Sequence, residues 1–177
     1  MKSLLLVSFS VVILFGCNDG SSSSQTEQKA AVDKASQATE LLVESGELPE
    51  LDVSDSLKGP DTDNDGIRDD ISQHIDSLPV SDSQKSKIRN VAKSVQASIV
   101  VDSTNFNAVQ EIDNESTKAI GCLSQAFKNP ADAYKMLKQI ENYTANTKKR
   151  ALAYSAYNEV LDGTVTRLPK ELDCEGI

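Results

Sequence analysis

The stretch from Asp61 to Asp70, DTDNDGIRDD, sets five carboxylates and a single cation, Arg68, around one glycine, Gly66. Carboxylates this crowded repel one another unless something positive sits among them. Asp61, Asp63 and Asp65 fall at every second residue and are followed by Gly66 and Asp69, which is the pattern DxDxDGxxD. Alternate residues of a tightly wound loop point at one centre, and a hard divalent cation asks for several oxygens at about 2.3–2.6 Å. Ca2+ accepts irregular shells where Mg2+ insists on an octahedron, so the expected cofactor is Ca2+. The expected ligands are the side chains of Asp61, Asp63, Asp65, Asp69 and Asp70 and the backbone carbonyl of Ile67, whose side chain would enter the core. The competing reading of the same residues is a solvated acidic surface.

Elsewhere the chain offers little chemistry. It contains no HExxH, GxSxG or SxxK sequence, so no enzyme is expected. The single histidine, His74, reads as an exposed residue of a short helix, and Tyr134, Tyr143, Tyr154 and Tyr157 read as core and rim. Lys148, Lys149 and Arg150 read as a solvated helix start. The formal charge of −9 over 177 residues argues against a nucleic-acid partner, which draws on clustered lysine and arginine. Tryptophan is absent and aromatics make up 5% of the chain, too little for a stacking platform.

The N-terminus indicates a destination. MKSLLLVSFSVVILFGC carries one positive charge at Lys2, an apolar run from Leu4 to Phe15, then Gly16 and Cys17. This is signal-peptide order, and the run is shorter than the roughly 20 apolar residues a spanning helix needs. Leu14, Phe15, Gly16 and Cys17 resemble the lipobox of bacterial lipoproteins, with phenylalanine where a small residue is usual. The resemblance implies removal of residues 1–16, diacylation of Cys17 and a membrane partner at the bacterial cell envelope. Asn18 in place of an aspartate favours the outer over the inner membrane. Residues 17–28, rich in serine, then form the lipidated cysteine and a flexible tether. With Cys17 acylated, Cys122 and Cys174 remain in an oxidising compartment, and a disulfide is expected between them. It would close a loop of about 50 residues, contribute roughly 4 kcal/mol on the chain-entropy model, and pin the tail after Gly163.

The elements that must position the acidic loop read as helices. Residues 29–60 comprise a peripheral helix with Ala31, Ala35, Ala38 and Leu42 on one side, then an aperiodic loop containing two prolines, and residues 61–177 the loop-bearing helical domain. A short helix from Ile67 to Leu78 is stopped by Pro79, and Ser81 with Gln84 forms a capping box for the next. That helix shows Ile88, Val91, Ala92, Val95 and Ile99 at helical spacing. The following helices carry Phe106, Val109, Ile112, Ile120, Leu123 and Phe127; then Tyr134, Leu137 and Ile140; then Ala151, Leu152, Tyr154, Ala156, Tyr157, Val160 and Leu161, closing at Gly163. No strand pattern competes. The expected fold is all-α, a small bundle of about five helices with one calcium-type loop and a disulfide-pinned tail.

The acidic stretch resembles the calcium loop of EF-hands, dockerins and thrombospondin type 3 repeats. An EF-hand places a bidentate glutamate at position 12, which is Ser72 here, and has an entering helix where this chain has Lys58, Gly59 and Pro60. The resemblance therefore implies weak binding, about 10⁻⁴ to 10⁻³ M, as in extracellular modules. More broadly, DNDGIRDDI, a lone helical cysteine, NTKKRALAYSAYNEVLDG and a final cysteine are similar to small exported bacterial proteins of unassigned function. That likeness covers residues 61–174 and implies that loop, bundle and disulfide form one unit. The expected function is a cell-envelope lipoprotein with a structural calcium loop, acting as a binding or structural module. The alternative is an acidic interaction or immunity-type protein that docks a basic partner without an ion.

Overall fold

The computed structural model describes residues 21–46 and 48–175, so the signal-peptide residues, Cys17 and Asn18 lie outside the described residues. The chain divides into two units, Met1–Leu48 and Pro49–Ile177. The first contains α1 (Ser21–Glu44), in which Val32, Leu41 and Leu42 are exposed. Residues 21–28 were expected as tether, yet they are helical. Once the Ala-rich segment nucleates a helix, adding Ser, Gln and Glu residues at its start costs only a few tenths of a kcal/mol each, about the spread of their propensities.

The second unit is a bundle of α2 (Asp69–Ser77), α3 (Asp82–Val100), α4 (Phe106–Ala126), α5 (Pro130–Thr144) and α6 (Lys148–Leu161), with no strand among the described residues. The starts of α3, α4, α5 and α6 each have a local cause. Ser81 and Gln84 form the reciprocal capping box at α3, Asn105, Asn129 and Thr147 accept backbone N–H bonds at the next three helices, and Pro130 occupies the first turn of α5. The helix α3 is the hub, packing on α2, α4, α5 and α6. Its buried face is Ile88, Val91, Ala92, Val95 and Ile99, the predicted stripe. Against it lie Ile67, Ile71, Ile75, Ala119, Leu123, Ala133 and Ile140. Each fully buried Ile or Leu contributes about 2 kcal/mol by removal from water.

Three large apolar residues assigned to core stripes are on the surface: Phe106, Tyr134 and Leu152, at 46%, 63% and 60% exposure. Phe106 begins α4, ahead of the first buried position, Val109. In α5 the inward face is Ala133, Ile140 and Thr144, and Tyr134 projects about 100° away from Ala133. In α6 the buried residues are Arg150 and Tyr157, seven apart and so on one face, which turns Leu152 outward.

Cys122 and Cys174 are joined by the expected disulfide across 52 positions. The tail that it fixes packs closely. A Cβ added at Gly121 would fall 2.7 Å from Leu168 Cδ1 and 2.8 Å from Leu172 Cδ1, so the helix surface at Gly121 is the seat of the tail. Thr166 donates a hydrogen bond to Asp113 beside it.

Candidate metal centre

The acidic loop leads directly into α2, and its backbone is wound by two left-handed residues, Asn64 at φ 58° and Gly66 at φ 88°. Asparagine tolerates that region and glycine occupies it freely. Gly66 is doubly constrained, since a Cβ there would meet Lys93 Cε at 3.3 Å. Two short turns orient the carboxylates: Asp65 N–H donates to Asp63 Oδ1 at 3.3 Å and Ile67 N–H to Asp65 Oδ1 at 2.7 Å. As a result one oxygen from each of Asp61, Asp63 and Asp65 lies within 4.8 Å of the others. Oxygens about 2.4 Å from a common centre are at most about 4.8 Å apart, so the three meet the spacing needed to hold one metal ion.

Asp61 is the deepest member. Its side chain is 3% exposed, Oδ2 is 3.3 Å from Lys58 Nζ, and Oδ1 is buried with no hydrogen-bond partner among the described residues. A carboxylate oxygen stripped of water and left unpaired is costly, and a bound cation would remove that cost. Ile67 is buried at 3% exposure, as its position in the loop required. Ser72, at the twelfth position, also keeps a buried Oγ with no hydrogen-bond partner among the described residues.

The structure does not bring Asp69 and Asp70 into this group. Both oxygens of Asp69 are taken by Thr62, whose N–H donates at 2.9 Å and whose hydroxyl donates at 2.6 Å. Those bonds hold its carboxyl below the ordinary carboxylate range. Asp70 faces the other way: Oδ1 accepts from Arg68 Nε at 2.6 Å and from Ile71 N–H at 2.8 Å, and Oδ2 accepts from Asp52 N–H at 2.6 Å.

Behind the loop is a feature that sequence reasoning missed. Arg68 and Arg150 are both fully buried, at 0% exposure. Arg150, read above as part of a solvated helix start, instead pairs with Asp52 and donates to Asp52 O at 2.6 Å, Asn146 Oδ1 at 2.9 Å and Ser56 O at 3.1 Å. Arg68 donates to Tyr143 O at 2.9 Å and Thr144 O at 3.3 Å, at the end of α5, and reaches Asn146 Oδ1 at 3.4 Å. Buried charges persist only when paired and hydrogen-bonded, and both guanidinium forks meet that condition. Asp52 is held below the ordinary carboxyl value by Arg150 first and by the Ser54 hydroxyl second.

The aperiodic segment from Pro49 to Pro60 is thus strapped onto the bundle by side chains. Arg150 and Asn146 grip Asp52 O, Lys149 Nζ donates to Asp55 O at 2.7 Å, and Gln96 Nε2 donates to Leu57 O at 3.2 Å. The strap and the acidic loop meet at Gly59, whose φ is +69° and where a Cβ would stand 2.4 Å from Arg68 Cδ and 3.1 Å from Arg150 Nη2.

His74, expected to be exposed, is half-buried with its ring edge-on to Tyr143 at 5.0 Å. It sits on the same helix as Ile71 and Ile75, three residues from one and adjacent to the other, so it follows their face inward. Burial pushes its imidazole below the ordinary 6.5, a shift partly opposed by Gln139. Among the described residues it belongs to no metal-ligand group, and no helix is long and apolar enough to cross a membrane. No protein-family profile, no curated protein and no solved structure matches the chain at a significant level of similarity.

Proposed function

We propose that this chain is a cell-envelope lipoprotein whose acidic loop holds a structural Ca2+ ion, and that it serves the envelope as a binding or structural module. One observation carries the ion: Asp61, Asp63 and Asp65 converge within 4.8 Å while Asp61 Oδ1 lies buried with no hydrogen-bond partner among the described residues. An all-oxygen donor set of carboxylates, supplemented by the Ile67 carbonyl, suits a hard cation, and calcium tolerates the irregular shell a loop provides. The ion acts as a staple. Arg68 and Asp70 of the same loop enter the buried network with Asp52 and Asn146, so fixing the loop fixes the strap and the α5–α6 junction. The lipid anchor rests on Leu14, Phe15, Gly16 and Cys17, followed by Asn18.

The test of the ion is thermal unfolding of the full chain in EDTA and in millimolar calcium, beside the double change Asp63→Asn with Asp65→Asn. Each tenfold excess over the dissociation constant contributes about 1.4 kcal/mol, so calcium raises the midpoint of the unmodified chain and leaves the double variant where it was. An unchanged midpoint in both gives the lead to an acidic surface that docks a basic partner. The anchor is read by mass spectrometry of envelope extracts, where a chain without acyl mass at Cys17 removes it.

A further inference from the structure

The ion site carries its own competitor. We infer that Lys58 is a resident counter-cation of the Asp61–Asp63–Asp65 group, seated on Asp61 when no divalent ion is bound and displaced into solvent when one enters. The inference rests on the ion-site reading and adds a residue that sets its affinity. Lys58 Nζ lies 3.3 Å from Asp61 Oδ2, and among the described residues it is the cation paired with a member of the group. Of the other cations nearby, Arg68 is committed to Asp70 and the end of α5 and Lys149 to Asp55 O, while Lys93 lays its stem beside Gly66 and forms no ion pair with the group among the described residues.

The backbone on either side of Lys58 is pinned while its side chain is free to leave. Leu57 O is held by Gln96, Gly59 N–H donates to Ser56 Oγ at 3.0 Å, and Pro60 O accepts from Asp69 N–H at 2.9 Å. The Lys58 side chain itself is 57% exposed, so water receives the ammonium without rearrangement of the strap. A single ammonium neutralises one of three carboxylates, which leaves a net negative site for a divalent ion. When that ion binds Asp61, the ammonium beside the same carboxylate is repelled, and the loss of its ion pair is subtracted from the affinity.

Calcium titration of the EDTA-stripped full chain by calorimetry tests this with Lys58→Met, Lys58→Arg and, in the α4–α5 turn, Lys128→Met. Removing the competing charge is expected to tighten binding about fivefold at low salt, with the advantage shrinking as ionic strength rises. Lys58→Arg keeps the charge and stays near the unmodified affinity, as does Lys128→Met. Equal affinities for Lys58→Met and the unmodified chain overturn the role of Lys58 while the ion site stands. An equal gain from Lys128→Met also overturns it, because the effect is then one of net charge. Absence of saturable binding in every chain overturns the ion site and the counter-cation together.

Discussion

Replacing Arg150 by methionine keeps the aliphatic stem and removes the buried guanidinium, and its cost can be worked from the contacts. The ion pair with Asp52 is lost, and Ser56 O loses the bond of 3.1 Å from Arg150. Asp52 O keeps its bond from Asn146 Nδ2 at 3.0 Å, and Asn146 Oδ1 keeps Arg68 at 3.4 Å, so those two acceptors are weakened but not orphaned. A charged hydrogen bond contributes about 1.5–3 kcal/mol and an orphaned buried carbonyl costs about 1–3. The Asp52 side chain is 20% exposed and partly rehydrates, which places the total near the low end of a broken buried pair, about 3 kcal/mol. For a unit of this size that is a fall of roughly 10 °C in midpoint. Urea unfolding at neutral pH measures it, with Lys149→Met as the exposed neighbour expected to cost less than about 1 kcal/mol. The pH dependence supplies a second reading. The folded state depresses the Asp52 carboxyl, so the pair's stabilisation is present above the ordinary value of 3.8 and is lost as pH falls through the depressed one. The penalty of Arg150→Met therefore shrinks in acid. A neutral-pH loss below about 1 kcal/mol refutes the reasoning, because a desolvated guanidinium with these partners cannot be removed so cheaply.

Gly59→Ala combines a left-handed backbone with a Cβ 2.4 Å from Arg68 Cδ. Arg68 is anchored to Tyr143 O and Asp70 and cannot yield, so a loss of about 2–4 kcal/mol is expected in the same urea assay, whereas Gly163→Ala, with open space around it, costs only the backbone strain of about 1–2. At alkaline pH, burial first and Glu141 second raise the Tyr154 hydroxyl from 10.0 to about 12, and burial also raises Tyr157. The native state holds these protons more tightly, so stability is full below pH 10 and falls as pH rises through about 12. Changing both tyrosines to phenylalanine removes that part of the decline, and an unaltered slope between the two chains contradicts the burial of the hydroxyls.

Where apolar side chains alternate at helical spacing, the sequence was a good guide. The stripe from Ile88 to Ile99 and the capping box of Ser81 and Gln84 lie where periodicity and cap chemistry put them. The three alternating aspartates were also legible, because the spacing that points side chains at one centre is local. Arg68 and Arg150 were not. Charged residues are seldom fully buried, and several partners that make it tolerable here are remote: Asp52 lies 98 positions from Arg150, and Tyr143 O and Asn146 lie 75 and 78 positions from Arg68. For the same reason the segment 49–60 looked like an ordinary loop: its order comes from donors on α3, α6 and the α5–α6 junction, and no pattern within its own residues encodes them. Gly59 was the nearest available signal, a glycine between a lysine and a proline whose need arises only once two guanidinium groups stand beside it.

The charge balance of the decapeptide follows from how the backbone divides it. Its five carboxylates do not share a common fate. Asp69 spends both oxygens on Thr62, and Asp70 spends both on Arg68, Ile71 N–H and Asp52 N–H. The turn at Gly66 makes this division possible, because residues before it face the loop centre while residues after it enter α2 and the buried network. What remains for an ion is Asp61, Asp63 and Asp65, with Lys58 covering one charge of three. A loop in which all five aspartates faced inward would bind a cation more tightly, but it would leave Arg68 buried without a counter-charge, at several kcal/mol. On the proposed calcium reading, weak binding and a stable arginine pair are two results of one partition, and a change that turns Asp70 toward the ion must weaken the bundle.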